Sequence, residues 1–331
     1  MVRPDRISRR QMLTAASGVA VAGAIGFPAL ASDFPRKAIR IIVPFQAGGI
    51  VDQVARAVSD FASSALGQPV VVEPMPGAGG MIGTMAVARA QPDGHTWLLA
   101  TSGHVATPLL QASSYDPVDD FVAVSYLGRG QHVALVPAAS KAHNLADFVQ
   151  LAKAKPGALN YLNPGNGSFS HLAAELLQMN TGAKLQAVAY KGLPQGLQDL
   201  AAGRIDFALA SLPLPIPFIQ AGKMRGIGIM AVRRNPAVAD VLTFQEQGFG
   251  SSQMISWSMV LLPAKTPKQI VEQVNAMFNK ALQDPEVMQR LRTIHLSPAD
   301  PMPWHEVQSL LATDAKRVAE IVKRAQVKAV N

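Results

Sequence analysis

Residues 39–52 read Ile39-Arg40-Ile41-Ile42-Val43-Pro44-Phe45-Gln46-Ala47-Gly48-Gly49-Ile50-Val51-Asp52. A short segment, apolar at every position but Arg40, ends at a proline and a glycine pair. Apolar residues then recur at helical spacing through Val51, Val54, Ala55 and Val58. A buried strand, a glycine turn and an amphipathic helix in that order form the unit from which open α/β sheets are built. The unit repeats outward. Val70-Val71-Val72 leads through Pro76-Gly77-Ala78-Gly79-Gly80 into helical spacing at Ile82, Met85, Ala86 and Ala90, and Thr96–Ala100 predicts a third strand. The pattern restarts at Val133–Val136, continues with a helix opening at Asn144, and passes from Tyr161-Leu162-Asn163 through Pro164-Gly165-Asn166-Gly167-Ser168 into another helix. Strands at 185–190 and 205–210 follow. Trp257–Leu262 is strand-like, and three amphipathic helices close the chain, one starting at Thr266-Pro267, one at Asp284-Pro285 and one at Trp304. Those helices need a sheet to cover. The sequence therefore predicts two α/β domains, the second inserted into the first: residues 32–131 with 255–331, and residues 132–254. The crossings fall near 129–134 and 252–258, beside Gly128, Gly130 and Gly250.

A chain of 331 residues has the length of about two domains. With 49% hydrophobic and only 16% charged residues it has the apolar material for a core, which excludes a disordered chain. The formal charge is +8, but Arg3, Arg6, Arg9 and Arg10 against Asp5 contribute +3 of it, and the remaining +5 is scattered. No basic cluster with interleaved aromatics occurs, so nucleic acid is not an expected partner. Without cysteine the chain has neither disulfides nor thiolate metal sites. The seven histidines show no H-x-x-x-H or H-E-x-x-H spacing, and no metal or other cofactor is expected.

Arg9-Arg10 stand before an uncharged run from Gln11 to Ser32 that ends in Ala29-Leu30-Ala31. Paired arginines, a weakly apolar segment and a small-x-small terminus predict a twin-arginine-like export signal over residues 1–31, cleaved before Ser32, and so a periplasmic protein.

Glycine-rich loops precede predicted helices at Gly48-Gly49, at Gly77/Gly79/Gly80 and at Gly165/Gly167. Glycine lets a backbone approach a ligand, and first-turn N–H groups attract an anion. The spacing G-x-G-x-x-x-G at Gly77–Gly83 is not a dinucleotide fingerprint, and no Walker lysine follows any loop. Ser168 and His171 allow a hydrolase to be drawn, but a serine three residues before a histidine at a helix start also has the spacing of an N-cap. Asp52 is placed to charge its own helix terminus.

The chain resembles the periplasmic substrate-binding proteins of tripartite tricarboxylate transporters, the Bordetella uptake gene family. The resemblance rests on Pro44–Gly49 with Asp52 and Arg56, Pro76–Gly80, Pro92-Asp93-Gly94, Tyr115-Asp116-Pro117 with Asp120-Phe121, and Ala152–Gly157. It continues through Gly167-Ser168 with His171-Leu172, Tyr190-Lys191-Gly192, Asp199-Leu200 with Gly203 and Asp206, Ala221-Gly222-Lys223 and Glu246-x-Gly248. It implies a Venus-flytrap fold, two α/β domains closing on a small carboxylate that is handed to membrane permease subunits, with no catalysis. It further implies that the first loop and the loop at Ser168 grip the ligand, partly through backbone N–H groups and ordered water. Pro74-Met75 stands where the family usually has Asn-Arg, Thr107 where it often has Asn, and Leu209-Ala210 where a Phe-Asp pair is common. Loss of that carboxylate points away from an amine-bearing ligand, since a buried ammonium needs an anion. The candidate ligand-binding residues are Phe45, Ala47, Gly48, Gly49, Asp52, Ser102 and His104 from the first domain, and Asn163, Asn166, Gly167, Ser168, Tyr190 and Ala210 from the second. Apolar Leu209–Leu214 suggests a ligand with an apolar or aromatic body. A monomer is expected. A sensor partner of a two-component receptor would share all these features, and a Ser168 hydrolase is the enzymatic alternative.

Overall fold

The computed structural model describes residues 34–110, 115–190 and 192–324; the expected export signal, its expected cleavage site and Lys191 lie outside them. The larger sheet has six strands in the order β11-β4-β10-β3-β1-β2. These are β1 (Ile39–Val43), β2 (Val70–Pro74), β3 (Thr96–Thr101), β4 (Phe121–Gly130), β10 (Ser256–Pro263) and β11 (Leu296–Pro298). The first three run parallel, while β10 and β4 are antiparallel to their neighbours. Strand alternation sorts the core. Ile39, Ile41 and Val43 face one layer with Trp97 and Leu99, against helices α1 (Ile50–Leu66), α8 (Lys268–Ala281) and α9 (Pro285–Thr293). Ile42, Leu98 and Ala100 face the other, with α10 (Trp304–Arg324) and α3 (Gly103–Leu110). Trp97 is fully buried, its indole N–H donating to Gly94 O at 2.7 Å and its ring edge-on to Phe278 at 5.3 Å.

The smaller lobe carries β5 (His132–Pro137) between β8 (Ala208–Ser211) and β9 (Met224–Met230), both antiparallel to it. A parallel pair, β6 (Asn160–Asn163) and β7 (Gln186–Ala189), joins through the Tyr161–Phe207 bridge. Helix α5 (Phe169–Thr181) packs against β8 and also touches α10, so one apolar cluster runs on from the larger lobe into the smaller. Between β4 and β5 stands Gln131 alone. Its side-chain NH₂ donates to Ser297 Oγ at 2.8 Å and its carbonyl accepts from Asn235 Nδ2 at 2.6 Å. The chain returns through the short turn Gly250–Ser252 into β10.

Strands β4 and β9 add to the sequence reading, and one helix start differs from it. Strand β4 is absent from the sequence reading because it is buried along eight consecutive residues and shows no alternation. Strand β9 carries Gly226 and Gly228, poor strand formers, yet both are needed: a Cβ there would come within 2.9 Å of Val241 and 2.8 Å of Leu145. At Thr266-Pro267 the helix begins one residue late. Pro267, with extended ψ of 135°, is the N-cap, and the Thr266 hydroxyl instead donates to Pro263 O at 2.7 Å. Asp284-Pro285 conforms, the Asp284 carboxylate accepting from Glu286 N and Val287 N with proline opening α9.

Candidate functional site

A cleft of about 440 Å³ lies where the two sheets meet at the Gln131 crossing. Its wall takes Phe45, Ser102 and Trp257 from the larger lobe, and His132, Asn166, Ser168 and Ser211 from the smaller. Three helices begin on it. Ile50 and Val51 open α1, Gly103 opens α3, and Ser168 and Phe169 open α5. The first N–H groups of a helix have no intrahelical acceptor and carry partial positive charge. Among the described residues no Lys, Arg, Asp or Glu lines the cleft. Its polar wall is made of hydroxyls, amides and two histidines, and its apolar wall of Phe45, Ile50, Val54, Leu110, Phe169 and Trp257. The indole N–H of Trp257 turns away to donate to Asp314 Oδ2 at 2.6 Å, which leaves the ring body to the cavity.

The smaller-lobe loop is held in shape from within. Asn163 Nδ2 donates to Asn166 Oδ1 at 2.8 Å, and Asn163 Oδ1 accepts from Gly165 N at 3.0 Å. Ser168 caps α5, its Oγ accepting from His171 N at 3.3 Å. His171 Nδ1 accepts from Gly167 N at 3.0 Å, and its Nε2 lies 4.0 Å from Glu175. Both ring nitrogens are therefore directed elsewhere than at Ser168 Oγ, and burial lowers the His171 pKa below its ordinary value. Gly167 adopts φ +78°, and a side chain there would run into Leu110 of α3 at 2.3 Å, so glycine lets the two lobes approach beside the cleft.

Of the sequence candidates, Phe45, Ser102, Asn166, Gly167 and Ser168 line the cleft, and the others do not. Ala47, Gly48 and Gly49 form the exposed loop ahead of α1. Asp52 is buried beneath it. Its carboxylate accepts from Gly48 N at 3.0 Å and from Arg56 Nε at 2.9 Å, and those bonds hold it below the usual carboxylate pKa. Asp52 thus charges its own helix terminus. His104 packs behind the wall, Nε2 2.8 Å from Pro117 O and the ring stacked on Tyr115; burial pushes its pKa down to about 4. Asn163 shapes the loop from below, and Tyr190 donates to Asp199 Oδ2 at 2.6 Å. Ala210 is wholly buried in the smaller lobe. Side chains alternate along β8, and it is the next residue, Ser211, that reaches the cleft. Leu209 and Leu212 are buried as well, so the apolar wall is not the 209–214 stretch; only Pro213 of it contributes. Nor are the amides of Gly48, Gly165 and Gly167 free: they donate to Asp52, Asn163 and His171, and the N–H groups without an intrahelical acceptor at the cleft are those of the helix starts. His132, Ser211, Ser256 and Trp257 were not among the candidates. The sequence signal for His132, Ser256 and Trp257 is their position beside the predicted crossings, and for Ser211 its place next to Ala210.

A cleft between two α/β lobes, apolar along its walls and edged by helix N-termini, defines a solute-binding protein of the Venus-flytrap class. The chain belongs to the tripartite tricarboxylate transporter receptor family, whose model matches residues 54–327. It is 31% identical to the protein BugT of Bordetella pertussis over 320 residues, 96% of this chain and 98% of that one. Its structure is similar to that of a Rhodopseudomonas palustris protein with adipate, with a TM-score of 0.77 and 29% identity over 90% of this chain and 100% of the other. MatC of the same species with bound malate gives a TM-score of 0.73 and 30% identity over 87% and 100%. Other structural neighbours are periplasmic binding proteins, BugD among them.

Proposed function

We propose that this protein captures a small carboxylate with an apolar or aromatic body and no amine, and delivers it to the permease subunits of a tripartite tricarboxylate-type transporter. One observation carries this: three helix N-termini open onto a cleft whose wall has no charged carboxylate, ammonium or guanidinium side chain among the described residues. An anion gains there from partial positive charge, and an ammonium finds no partner. Each helix end contributes about 0.3–1 kcal/mol, whereas micromolar affinity corresponds to about 8 kcal/mol, so the apolar wall must supply the larger share. Adipate and malate in the two relatives support the carboxylate class. The hydrogen bonds of Ser168 and His171 favour a cap over a nucleophile, hence binding over hydrolysis.

A thermal-shift screen of mono-, di- and tricarboxylates beside amino acids tests this. Aliphatic or aromatic acids are expected to raise the melting temperature. Selective stabilisation by an amino acid or by citrate refutes the ligand class. We assign the lobes to residues 32–131 with 255–331 and to 132–254, with the hinge at Gln131 and at the Gly250–Ser252 turn. A stabilising acid should then shrink the radius of gyration in solution scattering, and identical profiles with and without it count against closure.

Export to the periplasm through the Arg9-Arg10 signal is part of the same proposal. Mass spectrometry of the exported protein should find Ser32 at or next to the N-terminus. If Arg9→Lys/Arg10→Lys leaves export unchanged, the twin-arginine route is wrong.

A further inference from the structure

His132 opens β5 directly after the crossing residue and lies on the cleft wall, only 8% exposed. Its ring packs against Phe169, centroids 3.9 Å apart and planes inclined by 33°. Nδ1 is enclosed and meets no hydrogen-bonding partner. A proton on the enclosed Nδ1 would have no acceptor, and orphaned buried N–H groups are rare, so the ring proton is assigned to Nε2 at the other edge of the ring. Two hydroxyls accompany it. Ser211 stands directly opposite His132 in the β5–β8 register. Ser256 stands opposite Gly130 in the β4–β10 register. A Cβ on Gly130 would sit 2.9 Å from Ser256 Oγ and 3.9 Å from His132 Cε1, so the missing side chain opens the space in which serine and imidazole face each other.

We propose that His132, with Ser211 and Ser256, forms a second polar subsite in the cleft that takes an uncharged oxygen of the ligand, a hydroxyl or ketone, in addition to the carboxylate. This rests on the carboxylate reading of the cleft. In that reading the carboxylate is taken by the first-turn N–H groups of the helices that open on the cleft. The three groups here come from strands, not from those helix starts, and are donors beyond what that carboxylate uses. A second carboxylate at this place would meet no lysine or arginine among the described residues, and burial holds His132 neutral, its pKa pushed down to about 3. A neutral oxygen can accept the Nε2 proton without that cost.

Calorimetry would compare plain acids with their oxygenated counterparts: hexanoate against its alpha-, beta- and omega-hydroxy acids, benzoate against salicylate and para-hydroxybenzoate, with adipate as the doubly charged control. In the wild-type protein at least one hydroxy acid should bind about tenfold more tightly than its parent, and more tightly than adipate. In His132→Phe, which keeps an aromatic ring against Phe169, that ratio should fall to about one. His132→Gln keeps an N–H donor and should retain part of it. Nitrogen NMR of the wild-type imidazole should show the proton on Nε2. The inference is overturned if no hydroxy acid exceeds its parent, if the ratio survives in His132→Phe, or if His132→Phe weakens parent and hydroxy acid alike, which would place the carboxylate itself on His132. If none of the acids binds, the carboxylate reading fails and this inference with it.

Discussion

Ser168→Asp should leave the protein folded and cost it most of its carboxylate affinity. Aspartate is as good an N-cap as serine, so the bond now accepted by Ser168 Oγ from His171 N can be kept and α5 retains its start. The new side chain, however, places a fixed anion on the helix terminus that we assign to the ligand. It takes up the favourable partial charge and repels a second carboxylate. At a separation of about 6 Å and an effective dielectric near 20, that repulsion is roughly 2–3 kcal/mol. With the lost dipole contribution, affinity should fall on the order of 100-fold. Titration calorimetry with whichever acid stabilises the wild type reads this directly, and a melting temperature close to wild type shows that the fold has survived. Wild-type affinity in Ser168→Asp would remove α5 from the binding site. Ala210→Asp is not an equivalent experiment. Ala210 is fully enclosed, and a carboxylate there would be buried without a partner, so that substitution reports on stability.

Gly128→Ala should be strongly destabilising for the larger lobe. Gly128 lies in β4 with φ +152°, paired with Ser258 on one side and Pro298 on the other. A Cβ would sit 2.3 Å from Ser297 O and 3.0 Å from Pro298 Cα. Both obstacles are main chain, so no rotamer change relieves the clash and β11 has to move off the sheet edge. Backbone strain and overpacking each cost about 1–3 kcal/mol, together about 2–6 kcal/mol, or roughly 5–15 °C in melting temperature. Gly203→Ala is the control. It shares a positive φ of +73° but has nothing within 4 Å of the new Cβ, so it bears the strain alone. If calorimetry finds Gly128→Ala no worse than Gly203→Ala, the close packing of β11 on β4 is wrong. Movement of β11 also disturbs the Gln131–Ser297 hydrogen bond and the cleft-lining Leu296, so ligand affinity should fall with stability.

The alternating strand, turn and helix signals were legible because they are local. Strands β1, β2, β3, β5 and β6 and the caps at Ser168 and Asp284 follow from residue types within a few positions of one another. Strand β4 escaped because burial on both faces erases the alternation by which a strand is recognised. The cleft was legible only where a loop supplies it, at Phe45, Ser102 and Asn166–Ser168. Its other wall comes from the crossing strands, and Trp257 and Ser256 reach His132 only through sheet pairing across more than a hundred residues. Ala210 shows the finest scale of failure. The right strand was chosen, but the face was wrong by one residue, since nothing in Ala-Leu-Ala-Ser tells which side a doubly buried strand turns toward the cavity.

The cleft divides its labour between two kinds of matter. In the proposed reading its anion-holding edge is main chain, the first amides of helices, and a point substitution other than proline leaves such amides in place. Its body-recognising wall is side chain, at Phe45, Ile50, Leu110, Phe169 and Trp257, and each of these can be exchanged singly. Drift at those positions would alter which carbon skeleton is accepted while the demand for an acidic head persists. If the proposed reading holds, a scaffold made this way can be retuned from one carbon skeleton to another by small steps in the apolar wall, each of which leaves the helix amides that hold the charge in place.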